Sequence, residues 1–197
     1  MADPRRVIIG ITGASGTILG VRLLEILRGV AGVETHLVMS PAAARTLLIE
    51  TDYTVEQVQA LADRVHSFKD IGASIASGSF RSEGMIIAPC SVKTLSGVAN
   101  CHGDDLIGRA ADVCLKERRR LVLLFRETPL HAGHIALMDQ ATRNGAIVMP
   151  AVVGLYYQPQ SVIEMIDHLA GRALDLLGID GGTVKRWQGQ GSDADRD

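Results

Sequence analysis

Two short turns in this chain place hydroxyls and glycines where a strand would hand over to a helix. The first is Thr12-Gly13-Ala14-Ser15-Gly16, between the apolar run "RVIIGI" and "TILGVRLLEIL". Such a turn exposes backbone N–H groups at a helix N-terminus, where the helix dipole favours an anion, usually a phosphate. The second is "APCSVKTLSG", which sets Ser91, Val92, Lys93 and Thr94 at another helix start. It reads either as a second anion site or as a plain N-cap by Ser91. A third charged turn, "RETPLH", puts Arg126 and Glu127 where a buried strand emerges, a place where charge is more often functional than structural.

Other candidates are weaker. His131 and His134 are three apart, but no third ligand joins them, so no metal is expected. Cys90 has no histidine at a recognisable spacing and reads as small and buried. Tyr156, in "LYYQPQS", either packs a loop or offers its phenol to a phosphate together with Arg172 of the following helix. "KERRR" (116–120) reads as a solvated helix end.

The elements that must hold these turns follow from periodicity. Apolar runs at 6–12, 33–40, 84–89, 120–127 and 146–151 read as strands. Helices are expected at 17–30, 41–50, 54–65, 91–101, 104–119, 134–145 and 159–178, with Thr54 and Asp104 or Asp105 as caps. The stretch 70–83 is small and polar and reads as a loop. Strands alternating with helices, and continuously apolar, mean an α/β fold: one Rossmann-like three-layer domain over 1–188 with a mostly parallel sheet. The polar end 189–197 has no apolar anchor and is expected to be disordered.

Composition narrows the function. The 197 residues suit one domain, and 47% are hydrophobic, enough for a sizeable core. Twenty Lys and Arg against 22 Asp and Glu give a net charge of −2, which argues against a nucleic-acid binder. Three cysteines without CxxC spacing read as reduced thiols. No run approaches the roughly 20 apolar residues of a membrane span, and the first apolar run is too short for a signal peptide. A soluble cytoplasmic protein is expected. At the first turn a dinucleotide is disfavoured: the second strand ends in Met39-Ser40 without the acidic residue that holds a ribose, and no Tyr-x-x-x-Lys follows. A mononucleotide such as FMN fits better, with Ser40 as a hydroxyl donor.

Taken in order, "GITGASG", "ETD" at 50–52, "DIGASIASGSF", "PCSVKTLSGVA", "RAADVCLKERRRLVL", "RETPLH", "MPAVVGLYYQPQS" and "KRW" at 185–187 resemble the UbiX-type flavin prenyltransferases. These belong to the wider homo-oligomeric flavin-containing Cys decarboxylase family. The resemblance runs from about residue 6 to Trp187. It implies transfer of a dimethylallyl group from dimethylallyl monophosphate to N5 and C6 of reduced FMN, giving prenylated FMN for a UbiD-type decarboxylase, without a metal. It implies FMN binding by Gly13, Ala14, Ser15, Ser40, Ser91, Val92, Lys93, Thr94 and Arg126. It assigns dimethylallyl phosphate to Tyr156 and Arg172, assisted by Lys116 and Arg109, and catalytic roles to Ser15, Glu50 and Glu127. The family forms dodecamers whose sites lie between subunits, which would account for the remoteness of Lys116 and Glu50 from the turns. Two departures stand out: Ala136-Leu137 where many relatives carry Glu-Asn, and Phe125 where proline is common. Two readings compete. A cysteine-type decarboxylase needs a Pro-x-Met-Asn signature, absent here. A non-catalytic FMN carrier has no use for a second phosphate site.

Overall fold

The computed structural model describes residues 3–189. Among them six strands form one sheet, β1 (Arg5–Ile11), β2 (Val33–Met39), β3 (Arg64–His66), β4 (Gly84–Cys90), β5 (Arg120–Phe125) and β6 (Ile147–Val148). The order is β3-β2-β1-β4-β5-β6 and every pairing is parallel. The sheet is thus parallel throughout, as continuous apolar strands require when both faces are covered.

Side chains alternate between two cores. Val7, Ile9 and Ile11 of β1, with Ile86, Val122 and Leu124, face α1 (Ile18–Arg28) and α7 (Val162–Leu176). Ile8, Met85, Ile87, Leu121 and Leu123 face α4 (Val92–Ala99), α5 (Leu106–Lys116) and α6 (Ala132–Arg143). Nearly all are fully buried, so each contributes roughly 1.5–3 kcal/mol by leaving water. Arg22 of α1 donates to both carboxylate oxygens of Asp167 on α7, at 2.6 and 2.9 Å, and ties the outer layer together.

Most expected elements are present within a few residues. The helix expected over 54–65 is the main exception. α3 covers only Val55–Gln59, opened by a capping box between Thr54 and Gln57, and the chain then turns into β3. Tertiary partners make that three-residue strand: the Asp63 carboxylate accepts from the Thr35 N–H and hydroxyl at 2.7 and 2.9 Å, and His66 meets His36 at 2.9 Å. Pro41 opens α2 (Pro41–Glu50), and Asp105, of the two aspartates considered, caps α5. The 70–83 loop carries one 3-10 turn, Ser74–Ala76.

The solvated reading of 116–120 needs correction. Arg119 donates to the Gly78 and Phe80 carbonyls at 2.7 and 2.6 Å, and Arg120 to the Leu176 carbonyl at 2.8 Å. Both are clamps on neighbouring segments. Of the expected disordered end, residues 190–197 lie outside the described residues.

Candidate functional site

The strand order reverses between β1 and β4, and in open parallel sheets ligands bind at the carboxyl ends of the strands at that point. The turn after β1 and the turn after β4 meet there. Thr12 fastens them: its hydroxyl donates to the Pro89 carbonyl at 2.7 Å and accepts the Ser91 N–H at 2.9 Å. Close approach is built in by glycine. A Cβ on Gly13 would sit 2.4 Å from the Ala42 Cβ, and one on Gly20 would sit 2.5 Å from the Ala88 carbonyl oxygen.

Around this junction opens a cleft of about 610 Å³, within the range of cofactor sites. It gathers Gly13, Ala14, Ser15, Ser40, Ser91, Val92, Lys93, Thr94, Arg126 and Glu127 from the sequence reading. At the second turn the N-cap is present, and backbone donors beside it stay open. The Ser91 hydroxyl accepts the Thr94 N–H at 3.3 Å as an N-cap, while the first N–H groups of α4 keep no intrahelical partner. Ser40 caps α2 in the same manner through the Ala43 N–H, at 3.1 Å. Glu127 accepts the N–H of Thr128 at 2.9 Å.

Glu50 needs no second subunit to reach the first turn. It lies at the end of α2, and its Oε2 accepts the Gly16 N–H at 2.9 Å and the Thr17 N–H and hydroxyl at 3.2 Å. Burial pushes this carboxyl up, but hydrogen bonds from Ser15, Gly16 and Thr17 outweigh it and hold Glu50 below the usual carboxylate range. The N-terminus of α1, expected to face a ligand phosphate, therefore already carries an anion.

Among the lining residues that the sequence reading did not name as ligand groups are Arg45 of α2, Phe68 and Asp105. Arg45 is the only base in "PAAARTLLIE", which was its one visible signal. The donor set fits FMN. Lys93, Arg45, Arg126 and the open start of α4 suit a dianionic phosphate, and Phe68, Val92 and Ala42 offer a wall for a flat ring.

Tyr156 and Arg172 sit elsewhere in the chain, in a recess of about 550 Å³ with Val184, Arg186 and Trp187. Asp175 organises it, accepting from Arg172 at 2.7 Å and from Arg186 at 2.9 and 3.0 Å. Those guanidinium partners hold its carboxyl below the ordinary range, Arg186 contributing most. The recess shares no lining residue with the first cleft. Arg109 pairs with Asp112 on α5 at 2.9 Å, and Lys116 with Glu117 at 2.5 Å; neither lines either pocket.

The remaining candidates have structural places. The His131 Nδ1 accepts the Gly133 N–H at 3.0 Å and caps α6, with the His134 ring 3.8 Å away. Among the described residues no three metal-ligating groups come together. Cys90 is buried, and burial drives its thiol far above the usual range. Phe125 lies in the core, Leu137 packs against it, and Ala136 is exposed. No helix among the described residues is long and apolar enough to cross a membrane.

Comparison with known proteins agrees with this geometry. The flavoprotein family model matches residues 1–170. The flavin prenyltransferase UbiX of Escherichia coli K12 is 55% identical over 187 residues, covering 94% of this chain and 99% of that one. That of Thauera aromatica is 53% identical over 93% and 94%. Among solved structures, AnUbiX (PadA1) in complex with FMN and dimethylallyl pyrophosphate superposes with a TM-score of 0.93 at 49% identity, over 95% of this chain and 100% of that one. A dodecameric FMN-dependent UbiX-like decarboxylase from Escherichia coli O157:H7 gives 0.91 at 47%, over 93% and 100%. A curated relative from that same strain bears the name flavin prenyltransferase UbiX. With a flavin-sized cleft at the switch point and relatives more than half identical along nearly its whole length, this chain belongs to the flavoprotein family, among its UbiX-type flavin prenyltransferases.

Proposed function

We propose that this enzyme transfers the dimethylallyl group of dimethylallyl monophosphate to N5 and C6 of reduced FMN, and that the prenylated FMN serves a UbiD-type decarboxylase. The observation that carries the reading is the pairing of an FMN-sized cleft with a second, arginine-lined recess in one chain. A flavin carrier has no use for the recess, and the Pro-x-Met-Asn signature of the cysteine-type decarboxylases is absent.

In the cleft, the start of α4 with Lys93, Arg45 and Arg126 binds the flavin phosphate, and Gly13, Ala14, Ser15, Ser40, Ser91, Val92 and Thr94 shape its seat. When bound and reduced, FMN supplies the nucleophilic N5 and C6 atoms and a π-face. In the recess, Arg172 and Tyr156 hold the donor phosphate, with Lys116 and Arg109 arriving from a neighbouring subunit. Positive groups fixed around a leaving phosphate stabilise charge that grows in the transition state. Trp187 and Tyr156 wall the recess with aromatic faces, and such faces attract a developing allylic cation. Glu127, at the mouth of the first cleft, moves a proton to the departing phosphate or from the flavin. Glu50 fixes Ser15 and the β1–α1 turn beneath the ring.

The two pockets share no residue, and Val152, Leu155 and Val162 nearby are exposed apolar side chains. This arrangement supports an assembly, a dodecamer as in the Escherichia coli relative, in which the recess of one copy completes the cleft of another. The cytoplasm, where FMN and the recipient enzyme are found, is the proposed location.

Anaerobic mixing with reduced FMN and the donor tests the reading directly. A flavin mass gain of one C5 unit, lost in Arg172→Ala and Glu127→Gln, is expected. Unchanged FMN in the presence of tight flavin binding would move the assignment to a decarboxylase or a carrier. Running monophosphate and pyrophosphate in parallel identifies the donor.

A further inference from the structure

Behind the recess lies a buried histidine to which nothing so far gives a role. His168 of α7 is 5% exposed and stands behind Tyr156. Its Nε2 lies 3.3 Å from the Tyr156 hydroxyl, and the ring stacks on Tyr157 at 4.1 Å between centroids. Its Nδ1 is buried without a partner. The Tyr156 hydroxyl also lies 3.1 Å from the Lys185 carbonyl, and its ring meets that of Trp187 edge-on at 5.9 Å.

Proton counting fixes the direction of these bonds. A phenol has one proton, and a carbonyl only accepts, so the Tyr156 proton goes to Lys185. The contact with His168 must then run the other way, from Nε2–H to the phenol oxygen. That tautomer leaves Nδ1 as a bare lone pair, which matches the nitrogen found without a partner. A buried N–H there would be the costlier orphan. Burial, and then the nearby Arg172 charge, push the His168 pKa down, in keeping with a neutral ring that has a single proton to give.

We propose that His168 is a positioning residue for the donor-phosphate site, its Nε2–H fixing the Tyr156 hydroxyl at the mouth of the recess and strengthening it as a donor to the phosphate. A hydroxyl that accepts one hydrogen bond is polarised towards donating another. On ligand arrival the phenol proton exchanges Lys185 for a phosphate oxygen, while the bond from His168 stays in place and holds the ring. His168 touches neither the phosphate nor the flavin in this scheme and acts only through Tyr156. The inference rests on the donor-site reading above and deepens it.

The test measures binding without turnover. Dimethylallyl monophosphate is titrated calorimetrically into the assembled protein holding oxidised FMN, which lacks the nucleophile. His168→Phe keeps a flat ring over Tyr157 and removes the donor. It should weaken the monophosphate about three- to tenfold, the size of one hydrogen bond, with FMN affinity unchanged. His168→Gln, which can present an N–H, should recover most of the loss. In a Tyr156→Phe background the His168→Phe effect should vanish, because the pair acts as a unit. An equal loss in both backgrounds, or no loss in either, overturns the proposal. If wild-type protein takes up no monophosphate, the donor-site reading itself fails, which is a different result. For a variant that does not fold, 15N shifts of the histidine rings in the wild-type protein decide: protonated Nε2 at His168 is expected, and protonated Nδ1 refutes the scheme.

Discussion

Thr12 accepts the backbone N–H of Ser91 from 79 positions further along the chain, at 2.9 Å, while its own proton goes to the Pro89 carbonyl. One buried hydroxyl thereby sets the spacing between the two turns that frame the flavin cleft. Thr12→Val keeps the shape and strands the Ser91 N–H, while the Pro89 carbonyl keeps only its longer bond from the Thr12 N–H, at 3.3 Å. It should cost about 1–3 kcal/mol in urea unfolding, the penalty for unsatisfied buried groups, and weaken FMN in fluorescence titration. Thr12→Ser should restore both. A valine variant with wild-type flavin affinity would mean that the turns hold their spacing without this bridge.

Gly20 faces the same junction from the helix side. Alanine normally favours a helix by up to about 1 kcal/mol over glycine. Here its methyl would lie 2.5 Å from the Ala88 carbonyl oxygen and 2.7 Å from Ile11. Overpacking of this kind costs typically ~1–3 kcal/mol, so Gly20→Ala should destabilise the protein despite the better propensity. A melting temperature at or above wild type would show that α1 can shift outward freely.

Arg45 was hidden among the small residues of α2 and lines the same cleft as Lys93. Arg45→Ala should weaken FMN by about tenfold, the scale of one charge-assisted bond, and leave riboflavin, which lacks the phosphate, unaffected. Equal losses for both ligands would place Arg45 against the ring instead.

Acid stability should carry the signature of Glu50. Its folded pKa lies below the ordinary 4.5, so the ionised form is favoured by folding. The contribution is complete above the unfolded pKa and disappears as pH falls through the folded one. The carboxylate is largely exposed, so the effect is modest, under about 1 kcal/mol. Melting curves of Glu50→Gln should lie below wild type at neutral pH and converge on it in acid. Parallel curves at all pH values would rule the charge out as the cause.

Thiol chemistry checks the burial pattern. Cys90 and Cys114 are buried, and Cys114 is pushed up to about 12, whereas Cys101 is exposed. A thiol reagent should label one cysteine per native chain, at Cys101, and all three after unfolding.

The limits of the sequence follow from the range of the forces involved. Strands β1, β2, β4 and β5 were legible because each is an apolar run between turn residues, and the parallel sheet follows from their alternation with helices. β3 was not, since three residues have no period of their own and the strand is made by Asp63–Thr35 and His66–His36 contacts. The cleft-lining residues were visible where the chain itself marks a helix start, as at Ser91 and Ser40. Arg45 carries no local mark, and Glu50 was named through resemblance while its position was misjudged: its partners lie 33 and 34 residues back, and only folding brings them together. The same holds for Arg119, whose charge looks solvated in a basic run until the carbonyls of Gly78 and Phe80 are in place.

The Glu50 carboxylate at the start of α1 also bears on which nucleotides that turn would suit. In dinucleotide enzymes that helix start receives the bridging pyrophosphate. Here the position belongs to a side chain of the protein, and a second phosphate arriving there would meet a negative charge in place of free N–H groups. A nicotinamide dinucleotide would be disfavoured at a turn whose sequence invites it, and the open N–H groups of α4 are left for a ligand with a single terminal phosphate. One residue at the end of a neighbouring helix thus occupies the helix start that a dinucleotide site leaves to its pyrophosphate.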